Sequence, residues 1–155
     1  MIPTTEYVPY FSSFIESLDS GVSIVSNLET VQNDFENVLR NISSKKENYA
    51  YAEGKWTIKE LIQHLIDSER VFCYRALCFA RNDKTDLPGF DQDLFVEHSA
   101  AQERNYKELL DEMNVLRKGT IQLFNSFTEE DMLKIGKGSG NKISVRALGM
   151  VIAGH

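Results

Sequence analysis

From Tyr106 to Phe127, the residues Tyr106, Leu109, Met113, Leu116, Thr120, Leu123 and Phe127 follow one another in steps of three and four without a break. That spacing holds them on one side of a 3.6-residue helix, and so long a seam is stable only when other helices cover it. A helix is therefore predicted over about Gln102 to Phe127. Leu28, Val31, Phe35, Val38 and Ile42 form a second such face, with Glu29, Asn33, Asp34, Glu36 and Arg40 turned away from it. A third stripe, Ile58, Leu61, Ile62, Leu65, Phe72, Ala76 and Phe79, follows Thr57 and runs to about Ala80. Thr57 and Glu60 have the spacing of a capping box, which marks where that helix begins. Ser144 can cap a last helix carrying Val145, Leu148, Ile152 and His155 on one face. No segment alternates with period two for long enough to make a strand. The expected fold class is all-α, a bundle of four main helices.

The segments between these helices read as connectors. Asn41 to Gly54 is polar and ends in a Gly-containing turn, Pro88-Gly89 marks another turn, and Thr128, Glu129 and Glu130 make a short capped turn. The residues before the first helix, with Tyr7, Tyr10, Phe11 and Phe14, have no regular pattern, and Phe90 to Ala100 is acidic and aromatic without a clear period. The string GKGSGNK around Gly136, Gly138 and Gly140 lacks Walker spacing and a preceding strand, so it reads as a flexible loop. A chain of 155 residues, 42% hydrophobic and 26% charged, suits one globular domain over 1–155. At that size about two-thirds of the unfolded surface can be buried. A metal is then not needed for folding, and one bound here would serve chemistry.

A net charge of −6 and the lack of any Lys/Arg run exclude the basic face that a nucleic-acid partner requires. No apolar run approaches a membrane span, and the N-terminus lacks a basic region followed by an apolar core. The expected compartment is the cytoplasm. Cys73 and Cys78, five apart in an apolar helical segment, form neither a CxxC motif nor a disulfide framework and read as packing thiols.

The three histidines bear most on chemistry. His64 lies beside the stripe of the second predicted helix, and His155 continues the Leu148/Ile152 face of the last. Two imidazoles turned inward from different helices are the way a bundle assembles a metal site, although a satisfied core histidine would show the same spacing. Glu69 falls on the apolar stripe between Leu65 and Phe72, where a carboxylate is costly unless paired, protonated or metal-bound. It reads either as a catalytic general base, or a group orienting an imidazole, or as a bundle ion pair with Arg70 or Arg75. Asp67, three residues after His64, is a further candidate near the metal, and His98, among polar residues, reads as a surface group. No GxSxG elbow or His-Glu-x-x-His motif is present.

The run GKWTIKELIQHLIDSERVFCYRAL, with Trp56, Thr57, His64, Glu69 and Arg75, resembles the second-helix signature of the DinB/YfiT-like superfamily. The strings LPGFDQDLF and GSGNKISVRALGMVIAGH match further on in the same order, so the resemblance covers about residue 50 to the end. It implies a four-helix bundle holding a divalent metal, zinc or nickel first, with iron and manganese as alternatives. Three histidines would bind it. His64 matches the first and His155 the second, and the third would lie four residues beyond His155, so the last helix is expected to continue in the natural protein. The resemblance also implies a metal-dependent hydrolase, or an enzyme that transfers a low-molecular-weight thiol such as bacillithiol to an electrophile, with its pocket lined near Phe90, Asp91 and Phe95. The alternative is a non-catalytic helical module that pairs as a homodimer through exposed helix faces.

Overall fold

The computed structural model describes residues 2–155. Their helices are α1 (Ser12–Glu16), α2 (Ile24–Leu39), α3 (Ile58–Ala80), α4 (Gln92–Glu97), α5 (Tyr106–Asn125), α6 (Glu129–Leu133) and α7 (Val145–Gly154). Three short strands accompany them: β1 (Asp86–Leu87), β2 (Ile135–Gly138) and β3 (Asn141–Ser144). The long helices α2, α3, α5 and α7 make a four-helix bundle. α3 packs against α5 and α7, and α2 packs against the same two, so α2 and α3 lie diagonally opposite.

Side-chain caps set where these helices begin. The Thr57 hydroxyl accepts from the Glu60 amide, and the Glu60 carboxylate accepts from the Thr57 amide at 2.7 Å, closing the expected capping box of α3. Ser144 Oγ accepts from the Ala147 amide at 3.1 Å and opens α7. α5 starts at Tyr106, where the apolar seam begins and four residues after the predicted start at Gln102, because Asn105 takes the cap by accepting from the Lys107 amide. In the acidic stretch after Phe90, Asp91 accepts from the amides of Asp93 and Leu94 and starts α4.

The glycine-rich segment is not the loop expected of it. β2 and β3 pair antiparallel, Ile135 opposite Ser144 and Gly138 opposite Asn141, and β1 pairs parallel with β2. The inward positions of β2 are Gly136 and Gly138, so its buried face carries no apolar side chain and gives no period-two signal. Those glycines admit side chains of α3. A Cβ on Gly136 would lie 2.0 Å from the Phe79 ring, and one on Gly138 would lie 3.0 Å from Nε of Arg75.

Two apolar clusters fill the bundle. One contains Ile62, Ile66, Tyr106, Leu109 and Met113, between α3 and α5. The other contains Leu28, Phe72, Phe79, Phe124, Leu148 and Val151 and reaches the far end of α3. Along α3 they are separated by Glu69.

Gly136→Ala should destabilise the protein by about 1–3 kcal/mol, because Phe79 is fully buried and has no room to give way. Urea unfolding measures this, and an unchanged midpoint would show that the sheet does not press on α3.

Candidate metal centre

α3 presents His64, Ser68, Phe72 and Arg75 in steps of four, four and three, which is a single row along one side of a helix. The row faces α7, whose C-cap is His155. Nε2 of His64 and Nε2 of His155 lie 3.3 Å apart. Two features bring His155 there. The helix cap at Ser144 sets the phase of α7, and Gly154 lets the end of α7 pass against α1. A Cβ on Gly154 would meet the Phe14 carbonyl oxygen at 2.1 Å, so a glycine is needed at that position.

Aromatic rings surround the pair. Phe14 and Phe72 stand edge-on to the His155 ring at 5.3 and 5.9 Å between centroids, and Trp56 lies 4.7 Å from the His64 ring. Loss of water around the imidazoles favours their neutral forms. Burial and the adjacent His64 push the pKa of His155 down to about 4. Burial also lowers that of His64, against the opposing pull of Asp67 and Asp93. On the other side of the His64 ring, Ser68 Oγ lies 3.4 Å from Nδ1. A proton held on Nδ1 by that hydroxyl leaves the Nε2 lone pair directed at His155.

This arrangement fits a divalent ion. Two nitrogen donors about 2.0–2.1 Å from one ion in tetrahedral geometry are about 3.3–3.4 Å apart, the spacing found between the two Nε2 atoms. Among the described residues no cluster of three or more His, Cys, Asp or Glu side chains has metal-binding geometry. Within the described residues the pair offers two imidazole nitrogens to such an ion.

The pair borders a cavity of about 310 Å³. Phe11, Phe14, Phe72 and Phe90 form its apolar wall, and Ser68, Arg75, Gln92, Ser139 and Asn141 its polar one. Of the residues expected near the pocket, Phe90 lines it. Asp91 is occupied in capping α4, and Phe95 borders a neighbouring depression with Leu87 and Pro88.

Glu69 lines a second cavity, of about 210 Å³, which His155 also borders, but its hydrogen bonds run to α5. It is 3% exposed, and both its carboxylate oxygens accept from the Arg117 guanidinium, at 2.8 to 3.2 Å, with the Thr120 hydroxyl donating at 2.6 Å. Its partner is therefore Arg117 of α5 and not Arg70 or Arg75. It makes no hydrogen bond to His64 or His155. Arg117 could have been found in the sequence, since Met113, Arg117, Thr120 and Phe124 also run in steps of four, three and four. Arg70 pairs instead with Glu112, at 2.5 Å. Asp67 accepts from Gln63 at 3.0 Å, and His98 is exposed at the end of α4 with Nδ1 3.0 Å from the Leu94 carbonyl oxygen. Cys73 packs on Thr120 at 3.3 Å, and burial pushes its thiol pKa up to about 11. Ser68 was missed, although its place four residues after His64 is the spacing that brings two side chains together on a helix.

Fold and site together define a four-helix-bundle protein in which a buried His64 and a half-buried His155 meet beside a small cavity. The sequence profile of the DinB superfamily matches residues 27–155, and the chain belongs to that superfamily. Among solved structures it is similar to YfiT from Bacillus subtilis, with 16% identity and a TM-score of 0.71 over 84% of this chain and 76% of that one. YfiT is described as a probable metal-dependent hydrolase with an unusual four-helix bundle topology, and at this identity the likeness establishes the fold. No curated protein matches the sequence. No helix among the described residues is long and apolar enough to cross a membrane.

Glu69→Gln keeps the side-chain volume but strands the buried Arg117 charge, and should cost about 3–5 kcal/mol of stability. Replacing both residues with Met should cost less than the single change. Chemical denaturation measures both, and a Glu69→Gln loss below about 1 kcal/mol would contradict the pairing.

Proposed function

We propose that the protein is an enzyme that uses a divalent metal, zinc or nickel, held by His64 and His155, to act on a small molecule in the adjoining cavity. The observation that carries this reading is the 3.3 Å approach of the two Nε2 atoms. It is supported by the low pKa of His155, which keeps the imidazole unprotonated and able to donate a lone pair at neutral pH. The description of YfiT as a probable metal-dependent hydrolase points the same way. A divalent ion with open positions supplies Lewis acidity, lowering the pKa of a bound water or thiol. Either nucleophile suits the cavity, so the reaction is hydrolysis of a small substrate or transfer of a low-molecular-weight thiol to an electrophile.

The protein's own groups have separate tasks in this reading. Ser68, by accepting from Nδ1–H of His64, would leave Nε2 to the ion, and the rings of Phe14, Trp56 and Phe72 shield the imidazoles from water. Glu69 acts as a positioning residue, holding α3 against α5 so that the row beginning at His64 faces α7; its bonds to Arg117 and Thr120 support this over a role as proton acceptor.

Elemental analysis after dialysis against Zn(II) or Ni(II) should find close to one ion per chain, lost in both His64→Ala and His155→Ala. The loaded protein should then conjugate cysteine to 1-chloro-2,4-dinitrobenzene or hydrolyse p-nitrophenyl acetate faster than either variant. An intact helical protein that binds no metal would sink the proposal.

A further inference from the structure

Arg75 is the fourth member of the α3 row and is only 6% exposed. Five of the seven arginines pair with carboxylates: Arg40 with Glu36, Arg70 and Arg104 with Glu112, Arg117 with Glu69, and Arg146 with Glu6. Arg81 lies over the Phe127 ring and Arg75 over the Phe72 ring, at 6.0 and 5.9 Å to the centroids, so neither of these two contacts supplies a negative charge. Arg75 is buried and has no carboxylate partner among the described residues. Its Nη2 donates to two neutral acceptors, the Pro88 carbonyl and the Ser139 hydroxyl, both at 2.8 Å. Its Nε is buried with no partner among those residues.

A buried guanidinium without a counter-ion is costly, yet the surrounding chain is arranged to keep it there. Ser139, which directs its hydroxyl at Arg75, has a left-handed backbone with φ 53°, unusual for a residue with a Cβ. Gly138 brings the β2 backbone against the guanidinium at a distance that any side chain would crowd. Arg75 lines the same cavity as the histidine pair, beside the uncharged Ser139, Asn141 and Gln92. Burial lowers its pKa, as expected of a cation that lacks an opposite charge.

We infer that Arg75 is the binding residue for an oxyanion group, a carboxylate or a phosphate, carried by the small molecule that occupies this cavity. The Phe72 ring centroid lies 5.9 Å from both the Arg75 guanidinium carbon and the His155 ring centroid. The anionic group is therefore a handle bound within reach of the histidine pair, and its binding energy positions the reacting end of the ligand. This assignment rests on the cavity being the substrate site proposed above, but the guanidinium can be tested without metal.

The test is nuclear magnetic resonance of ¹⁵N-labelled protein, following the side-chain Nε–Hε signal of Arg75, assigned through Arg75→Gln. Acetate and inorganic phosphate are titrated into the metal-free and the Zn(II)-loaded protein, with sodium chloride at matched ionic strength as control. The expected result is a saturable shift with one of the two anions, absent with chloride, and the anion bound tighter identifies the handle. Gln92→Glu, an exposed change on the rim of the cavity, should weaken that binding about threefold or more without altering the fold. No saturable shift with either anion, a shift that chloride reproduces, or binding indifferent to Gln92→Glu would overturn the assignment. Saturation in a protein that binds no Zn(II) would uphold the oxyanion site while the metal proposal falls. Zn(II) binding without saturation would do the reverse.

Discussion

Glu69 and Arg117 face each other in the middle of the bundle, each buried to about the same degree, and the Thr120 hydroxyl completes the carboxylate's bonding. Arg117 also reaches the Leu28 carbonyl in α2, so one ionic group joins three of the four long helices. Removing two charges from water costs several kcal/mol per ion, recovered only when the geometry is good. An apolar contact between α3 and α5 would tolerate a slide or a turn of one helix on the other. This pair would not, because a displaced helix leaves two charges buried without partners. The ion pair therefore sets the rotation of α3, and with it the side on which His64, Ser68, Phe72 and Arg75 emerge.

The other half of the centre depends on a short helix held at both ends. Ser144 sets the phase of α7 at its start, and Gly154 allows its last turn to close on α1. His155 then stands among aromatic rings, next to a second imidazole that must stay neutral beside it. Protonating either ring would place a positive charge among these aromatic side chains, so burial favours the neutral, lone-pair-donating form of both, and the adjacent His64 favours it further at His155.

The helices were legible because long seams and caps are written in contiguous residues. The Thr57/Glu60 box, the Ser144 cap and the seam from Tyr106 all indicate the element that forms, and His64 and His155 both lie on faces that turn inward. What was hidden depends on contacts between distant segments. The pairing of Glu69 with Arg117 joins positions 48 apart, and although Arg117 sits at helical spacing among apolar residues of α5, nothing near Glu69 in the chain points to it over Arg70. The β2–β3 hairpin was concealed because glycines occupy its inward positions, where an alternating pattern would otherwise show. Phe14, in a stretch with no period, becomes part of the site only because α7 packs on α1.

The most direct test of the histidine centre is X-ray absorption at the zinc edge of the Zn(II)-loaded protein. The account predicts nitrogen or oxygen scatterers at about 2.0–2.1 Å, with the multiple scattering of two imidazole rings, reduced to one ring in His155→Ala. Sulfur scatterers at about 2.3 Å, or a spectrum without imidazole features, would show that the ion binds elsewhere and that the approach of His64 to His155 is only a packing contact.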